Sequence, residues 1–295
     1  MASMRDIKRR RVSIQSTQQI TKAMKLVSTV KLQRAKARAE RSHNYFQCMY
    51  QTVINILERS GYMDHPYMKP NASGKKAVVV ITSNRGLAGG YNSNIVKLVD
   101  SNGWNKDEVV IYAIGKKGRD ALKRKGYEVI SDDSEMINEP LFSDAQLLCE
   151  KILDAFAAGE IGEIYLAYTH FKNTVSHIPT LLKLLPVDME EAAEKSDVET
   201  EGTGNIDKTL MNYEPEEIEA LNMIIPKYVT SLFYGALVDA AASENGARMQ
   251  AMDSATSNAE EMIDHLELQY NRARQGHITQ ELTEIIGGAE ALSNQ

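Results

Sequence analysis

Between Ser3 and Ser60 the chain contains neither proline nor glycine, and after Pro226 no further proline occurs before its end. These two runs constrain the fold more than any other feature, because an uninterrupted helix rises ~1.5 Å per residue and 58 residues would then extend roughly 80 Å. An ordinary globular domain does not contain such an element, since helices there average ~10–14 residues. Ser3 and Asp6 are placed as a capping box at the start of the first run. The second run is predicted to begin near Pro215, a favourable first-turn residue, and to stop at the Gly287–Gly288 pair. Pro226 should kink its entry, while Gly235 and Gly246 weaken it slightly.

Each run carries a stripe at steps of three and four. In the first the apolar members are Ile20, Met24, Val27 and Val30, followed by Val53, Ile54 and Leu57. They are flanked by Lys22, Lys25, Lys31, Arg34, Lys36 and Arg38. In the second the stripe is Leu232, Ala236, Ala240, Ala255, Ala259, Met262, Leu266, Tyr270 and Ala273, whose alanines allow close approach. Two long helices at opposite chain ends, each with one narrow stripe, satisfy each other best as an antiparallel coiled coil. The second is the longer, so its tip must be exposed or covered by another protein. A bare helix displaying Met262, Ile263, Leu266, Leu282, Ile285 and Ile286 would be marginal in water.

Between the runs the pattern changes. "MDHPYMKPNASGKK" reads as a linker, and strands are predicted at 77–83, 108–115, 127–130, 163–171 and 174–186. Helices at 93–101, 117–125 and 144–158 separate the first four. Alternation of this kind predicts a doubly wound, Rossmann-like α/β domain, with "FKNTV" at 171–175 as a hairpin turn adding an antiparallel edge. The resulting division is a helix over 1–60, a linker over 61–76, the α/β domain over 77–214 and a second helix over 215–295. Residues 188–204 form an acidic loop: Asp188 to Glu201 hold seven acidic residues against Lys195.

The loop "TSNRGLAGGYNSNI" after the first strand invites a nucleotide site. It lacks the lysine and hydroxyl of G-x-x-x-x-G-K-[ST] and does not match G-x-G-x-x-G, so its glycines read as a sharp strand-to-helix turn with Asn92 or Ser93 capping. The six histidines show no metal-ligand spacing, and Asp132 with Asp133 has no partner motif. Cys48 and Cys149 make neither a disulfide framework nor a zinc module. No cofactor or metal site is therefore expected. No apolar run approaches the ~18 residues of a membrane span, and no secretion signal is evident.

Charge is distributed unevenly. Residues 1–41 hold 12 Lys or Arg against Asp6 and Glu40, a net of +10 that leaves −16 for the rest of a chain whose total is −6. Nucleic acid is disfavoured as the partner, since the remainder is acidic and no aromatic precedes Tyr45; an acidic protein surface complements the basic run better. Near the other end, residues 271–292, "NRARQGHITQELTEIIGGAEAL", are charged all round, and Arg274 can grip a carboxylate through two parallel bonds.

Taken together, "MASMRDIKRR", "STQQITKAMKLVSTVKL" at 16–32, the glycine-rich loop, "ARMQAMDSATSNAEEMI" and "YNRARQGHITQELTEIIGGAEAL" closely resemble the gamma subunit of F-type (rotary) ATP synthase, in the same order and over nearly the whole chain. The resemblance implies a non-catalytic central-stalk rotor that couples proton flow through a membrane c-ring to ATP synthesis. It implies alpha and beta subunits of the catalytic ring, an epsilon subunit and the c-ring as partners. Location is implied at the cytoplasmic face of a bacterial cell membrane, peripheral and without direct insertion. It further implies that Met24 and Lys25 lie near beta-subunit lobes and that Arg274 and Gln275 bond a beta-subunit loop. Arg248, Met252, Thr279 and Glu281 would support coupling between the long helices and the ring, and Met211 and Tyr213 would belong to the foot at the c-ring. The cysteine-bearing insert of the chloroplast type is missing, so thiol control is not implied. A nucleotide-dependent enzyme built on the α/β domain is the competing expectation.

Overall fold

The structure, a computed structural model, describes residues 4–60, 66–69, 71, 74–187 and 217–293. The acidic loop 188–204, the cap residue Ser3, and Met211 and Tyr213 lie outside the described residues, as do the side chains of Val53, Ile54 and Leu57. The element order is α1 (Met4–Ser60), β1 (Lys76–Ile81), α2 (Tyr91–Asp100), β2 (Val109–Ile114), α3 (Lys116–Arg124), β3 (Glu128–Asp132), α4 (Phe142–Ala157), β4 (Glu163–Phe171), β5 (His177–Leu185) and α5 (Glu217–Ser293). The chain divides into two compact units, one of residues 1–28 with 248–295 and one of residues 29–247.

The larger unit holds a five-stranded sheet in the order β3-β2-β1-β4-β5. The first four strands are parallel and β5 is antiparallel to β4. β1 and β2 lie between other strands, and their sequences KAVVVI and VVIYAI are buried almost without alternation. Such continuous valine and isoleucine runs are what a sheet covered on both faces demands. On one face α2 and α3 set Ile95, Val99 and Leu122 against Val78, Val80 and Ile111. On the other, α4 and the first part of α5 set Leu148, Ile152, Phe156, Ile225 and Phe233 against Val79, Ile81 and Ile114. The layering is the expected doubly wound one. The hairpin also forms as expected: the Asn173 carboxamide oxygen accepts from the backbone amides of Val175 (2.9 Å) and Ser176 (2.7 Å), a side-chain turn that leads β4 into β5.

Three sequence expectations need correction. α5 runs through Gly287 and Gly288 to Ser293, and neither glycine takes the left-handed conformation that ends a helix. An exposed glycine costs a helix only ~1 kcal/mol, which is not by itself a stop. Next, α2 begins at Tyr91 behind an N-cap Gly90 with no side-chain cap bond. Asn92 turns back instead, its oxygen accepting from the Ser83 amide at 2.9 Å, and Ser93 Oγ donates to the Gly90 carbonyl. Finally, α5 contains a stretch apolar enough by length and composition to cross a bilayer, contrary to the sequence reading, but 56% of it is buried inside the protein.

The glycine-rich loop is fastened to its neighbours by its own polar groups. Thr82 Oγ1 accepts from the Gly118 amide at 2.9 Å, Asn84 Oδ1 from the Lys116 amide at 3.1 Å, and Asn84 Nδ2 donates to the Ser134 carbonyl at 2.5 Å. These bonds bolt the end of β1 to the first turn of α3 and to the turn that follows β3. Close approach is part of the design: Gly115 has φ 101°, and a Cβ there would stand 2.1 Å from the Thr82 carbonyl oxygen. The lone buried cysteine nearby in the core, Cys149, has its thiol pushed up to about 12 by burial; it packs as a small apolar group.

A second close approach joins the β4–β5 hairpin to α5. A Cβ on Gly246 would meet His177 Cε1 at 2.8 Å. The His177 ring lies 5.8 Å from Phe171, over which Lys36 places its ammonium at 5.0 Å. Both His177 ring nitrogens are buried with no hydrogen-bond partner among the described residues, and burial holds its pKa below the ordinary value.

Two predictions arise here. Gly115→Ala should destabilise by about 2 kcal/mol or more through backbone strain and overlap, whereas Gly276→Ala, with nothing within 4 Å of the added carbon, should stabilise by roughly 0.5–1 kcal/mol; denaturant unfolding of the two variants checks both signs. For His177, the folded-state pKa is depressed, so its contribution is fully present above the unfolded value of about 6.5 and is lost as pH falls from there toward the folded value. The fall in melting temperature between about pH 7 and pH 5 should therefore be smaller in His177→Leu than in the parent.

Candidate functional site

The smaller unit pairs residues 4–28 of α1 with the part of α5 from Arg248 onward. Burial picks out one seam on each helix. On α1 it is Met4, Ile7, Arg11, Ile14, Gln18, Thr21, Lys25 and Ser28, alternating by three and four; on α5 it is Arg248, Met252, Ala255, Ala259, Ile263, Leu266, Tyr270 and Ala273. This is the heptad spacing of a coiled coil. Its direction is antiparallel: Arg11 meets Glu267 (3.6 Å), Thr21 meets Thr256 (2.8 Å) and Lys25 meets Asp253 (2.5 Å). Residue numbers rise on one helix as they fall on the other.

The seam is not the apolar stripe predicted for α1. Ile20 is 57% exposed and Val27 58%, while Thr21 is 8% and Ser28 2% exposed. Val30, in the other unit, is exposed as well. At ~100° per residue, Val12, Ile20, Leu26 and Val27 project from the side of α1 opposite the seam. A periodicity search follows the apolar residues, but burial follows the partner, and here Arg11, Thr21 and Lys25 each have one across the seam. The Thr21 and Thr256 hydroxyls bond one another, Arg11 reaches Glu267 and lies over the Tyr270 ring at 5.8 Å, and Lys25 reaches Asp253. Polar groups that keep partners are buried at little cost. The stripe predicted on α5 holds at Ala255, Ala259, Leu266, Tyr270 and Ala273, and fails at Met262, which is exposed.

Residues named from the sequence fall into two groups. Met24 and Lys25 are half-buried at the seam, at the level of Met252 and Asp253; Arg248 and Met252 are buried. Arg274, Gln275, Thr279 and Glu281 lie together on α5 beyond the seam, all exposed. There Thr279 Oγ1 donates to the Gln275 carbonyl at 2.9 Å, and Glu281 lies 3.3 Å from His277 Nδ1. Continuing the antiparallel register, Met4 reaches the level of Ala273 and Arg274, and every residue from 274 to 289 is exposed. Ile278, Leu282, Ile285 and Ile286 are among them. Met211 and Tyr213 lie outside the described residues.

Sequence reasoning missed Arg11, Thr21, Asp253, Thr256 and Glu267. The strict alternation of three and four from Met4 to Ser28 was available as a signal, though carried by polar and small residues. Part of the basic run is also answered within the chain itself: besides Arg11 and Lys25 in this unit, Arg38 in the larger unit donates to the Pro140 carbonyl at 3.0 Å. Among the described residues no cluster of His, Cys, Asp and Glu suited to a metal ion occurs.

Comparison with known proteins gives a consistent picture. A family model described as ATP synthase matches residues 3–292. The ATP synthase gamma chain of Lachnoclostridium phytofermentans is 64% identical over 293 residues, covering 99% of this chain and 100% of the relative. The sodium-ion-specific gamma chain of Acetobacterium woodii is 41% identical over 299 residues, with 99% of each covered. Among solved structures, a chain of the Tetrahymena thermophila mitochondrial ATP synthase central stalk and c-ring matches with a TM-score of 0.57 at 25% identity, over 80% of this chain and 99% of that one. A chain of the Euglena gracilis mitochondrial ATP synthase matches in fold, with a TM-score of 0.68 at 20% identity over 98% of this chain and 94% of that one.

Proposed function

The chain belongs to the gamma-chain family of ATP synthase, the central-stalk rotor subunits, and from that premise we propose how its residues transmit rotation. The paired helices turn inside a ring of alternating alpha and beta subunits, and the α/β unit meets the epsilon subunit and the c-ring. ATP synthase is a membrane-associated complex, and this chain works on the cytoplasmic face of the cell membrane, driven by ion flow through the c-ring. The observation that carries the reading is the form of α5: locked in register to α1 up to Ala273, then exposed on every side while displaying Ile278, Leu282, Ile285 and Ile286. An apolar helix face left in water marks a protein contact. The face of α1 bearing Val12, Ile20 and Val27 is a second such surface on the same pair.

Function then follows from asymmetry. A shaft with unlike faces makes different contacts with each of three catalytic sites, so rotation shifts their affinities in turn; identical contacts would shift nothing. Arg274 and Gln275, exposed just past the seam, present hydrogen-bond donors to a beta-subunit loop, and Met24 lies where the seam meets the open face of α1. Catalysis belongs to the complex. The nucleotide-enzyme alternative is not favoured, because Thr82, Ser83, Asn84 and Asn92 of the glycine-rich loop spend their polar groups on the fold.

Co-expression with the alpha and beta chains of the same complex tests this directly. The three should co-purify, and steady ATP hydrolysis should require all of them; an active alpha–beta preparation unaffected by this chain would overturn the reading. Arg274→Ala should change the stability of the isolated chain by no more than about 0.5 kcal/mol, the usual limit for an exposed position. Coupled ATP synthesis in membrane vesicles should fall on the order of tenfold, matching loss of a charged hydrogen bond of about 1.5 kcal/mol.

A further inference from the structure

Four successive seam positions on α1, Gln18, Thr21, Lys25 and Ser28, carry no apolar side chain, and across from this stretch α5 offers Ala255, Thr256 and Ala259, with the buried Met252 and the half-buried Met24 of α1 as its large apolar groups. Large apolar knobs fix rotation and axial position in a coiled coil by their shape. Small and polar residues supply little of that, and a flexible methionine specifies shape poorly, so over this stretch the setting of one helix against the other falls largely to directed bonds. Two lie one turn apart: the Thr21–Thr256 hydroxyl pair at 2.8 Å and the Lys25–Asp253 ion pair at 2.5 Å.

We propose that Asp253 is a positioning residue for torque transmission: by holding the Lys25 ammonium across the seam it sets the rotation of α1 about its own axis, and so the direction in which Met24 and the exposed face with Ile20 and Val27 are presented. The inference rests on the rotor reading given above and adds a residue and a role to it. It also reassigns the Lys25 charge, which acts inside the shaft and not on a beta-subunit lobe. The side chains of the pair are 39% and 56% exposed, and ion pairs this open add little to stability. Their effect is therefore geometric. A polar contact at a seam position that specifies register without adding stability is a well-attested device of coiled coils.

Charge reversal and charge exchange separate this role from a contact with the ring. In the full membrane-embedded complex, ATP-driven ion pumping per ATP hydrolysed is measured for the parent, Asp253→Lys, Lys25→Asp and the double exchange. Each single reversal should lower the ratio about fivefold, the low end of what a coupling free energy between sites supplies, while the exchange, which restores an opposite-charge pair, should return it to near the parent. An exchange variant as defective as the two singles combined would show that the Lys25 charge acts on another subunit, and would overturn the proposal. Where a reversal prevents assembly, Asp253→Asn removes the charge without adding repulsion; a ratio equal to that of the parent would likewise overturn it. Failure of the rotor reading itself is distinguishable, since the parent chain would then not co-purify with alpha and beta chains.

Discussion

The pairing of the two chain ends is the constraint on which the remaining structure depends. Thr21 and Thr256 bond across 235 residues of sequence, and closing so long a loop in an unfolded chain carries an entropic cost that local contacts do not repay. The 29–247 unit contains the interior portions of both helices along with the sheet. Its core is of the ordinary kind, with Phe156, Phe233, Ile81, Ile114 and Ile225 wholly buried, and each such side chain contributes about 1.5–3 kcal/mol relative to exposure. The seam buries fewer such side chains, Ile7, Met252, Ala259 and Leu266 among them.

How much of this was legible beforehand follows from what each signal reports. The strands β1 and β2 stood out because a strand covered on both faces must be apolar at every position, and β4 matched the predicted 163–171 at both bounds. The doubly wound layering followed from strand and helix alternation. Helix α1 was plain from its want of breakers. Its buried face was not, for a reason that applies to any helix with two non-polar sides. Periodicity says that Ile20 and Val27 share a face, but it does not say whether the partner of that face lies in the same chain. The polar alternation through Arg11, Gln18, Thr21 and Lys25 is the pattern of a seam, yet its chemistry is that of a surface, and only the geometry of Glu267, Thr256 and Asp253 opposite shows Arg11, Thr21 and Lys25 to be partnered.

The candidate site divides along the same line. Residues whose role depends on exposure, Arg274, Gln275, Thr279 and Glu281, were identified through resemblance, and the structure finds them exposed on one stretch of α5. Residues whose role depends on a partner within the chain, Asp253 and Thr256 above all, were invisible, because an aspartate or threonine on a long helix reads as a solvated position until its neighbour is known. The glycine pair at 287–288 misled for the converse reason: it was read as a local stop, although a glycine in a solvated helix is only a modest penalty.

An apolar seam is the usual way to join two helices that carry torque, and α1 has the side chains for one. Met4, Ile7 and Ile14 do lie in the seam, but farther along Ile20, Leu26 and Val27 point the other way. A single helix face of limited width can be buried only once, so apolar residues spent on the seam would be lost to whatever surrounds the pair. In the proposed assembly the division resolves this competition. Directed polar bonds of small net energy set the geometry between α1 and α5 along that stretch. The apolar surface, which gives non-directional attraction in proportion to area, is left for contact with the ring. A sliding contact favours the non-directional term, since it does not have to be broken bond by bond at each step, whereas an internal joint favours the directional one. In that assembly the mostly polar seam positions of α1 from Gln18 to Ser28 and the open face with Ile20, Leu26 and Val27 differ because one must hold its setting and the other must pass from subunit to subunit.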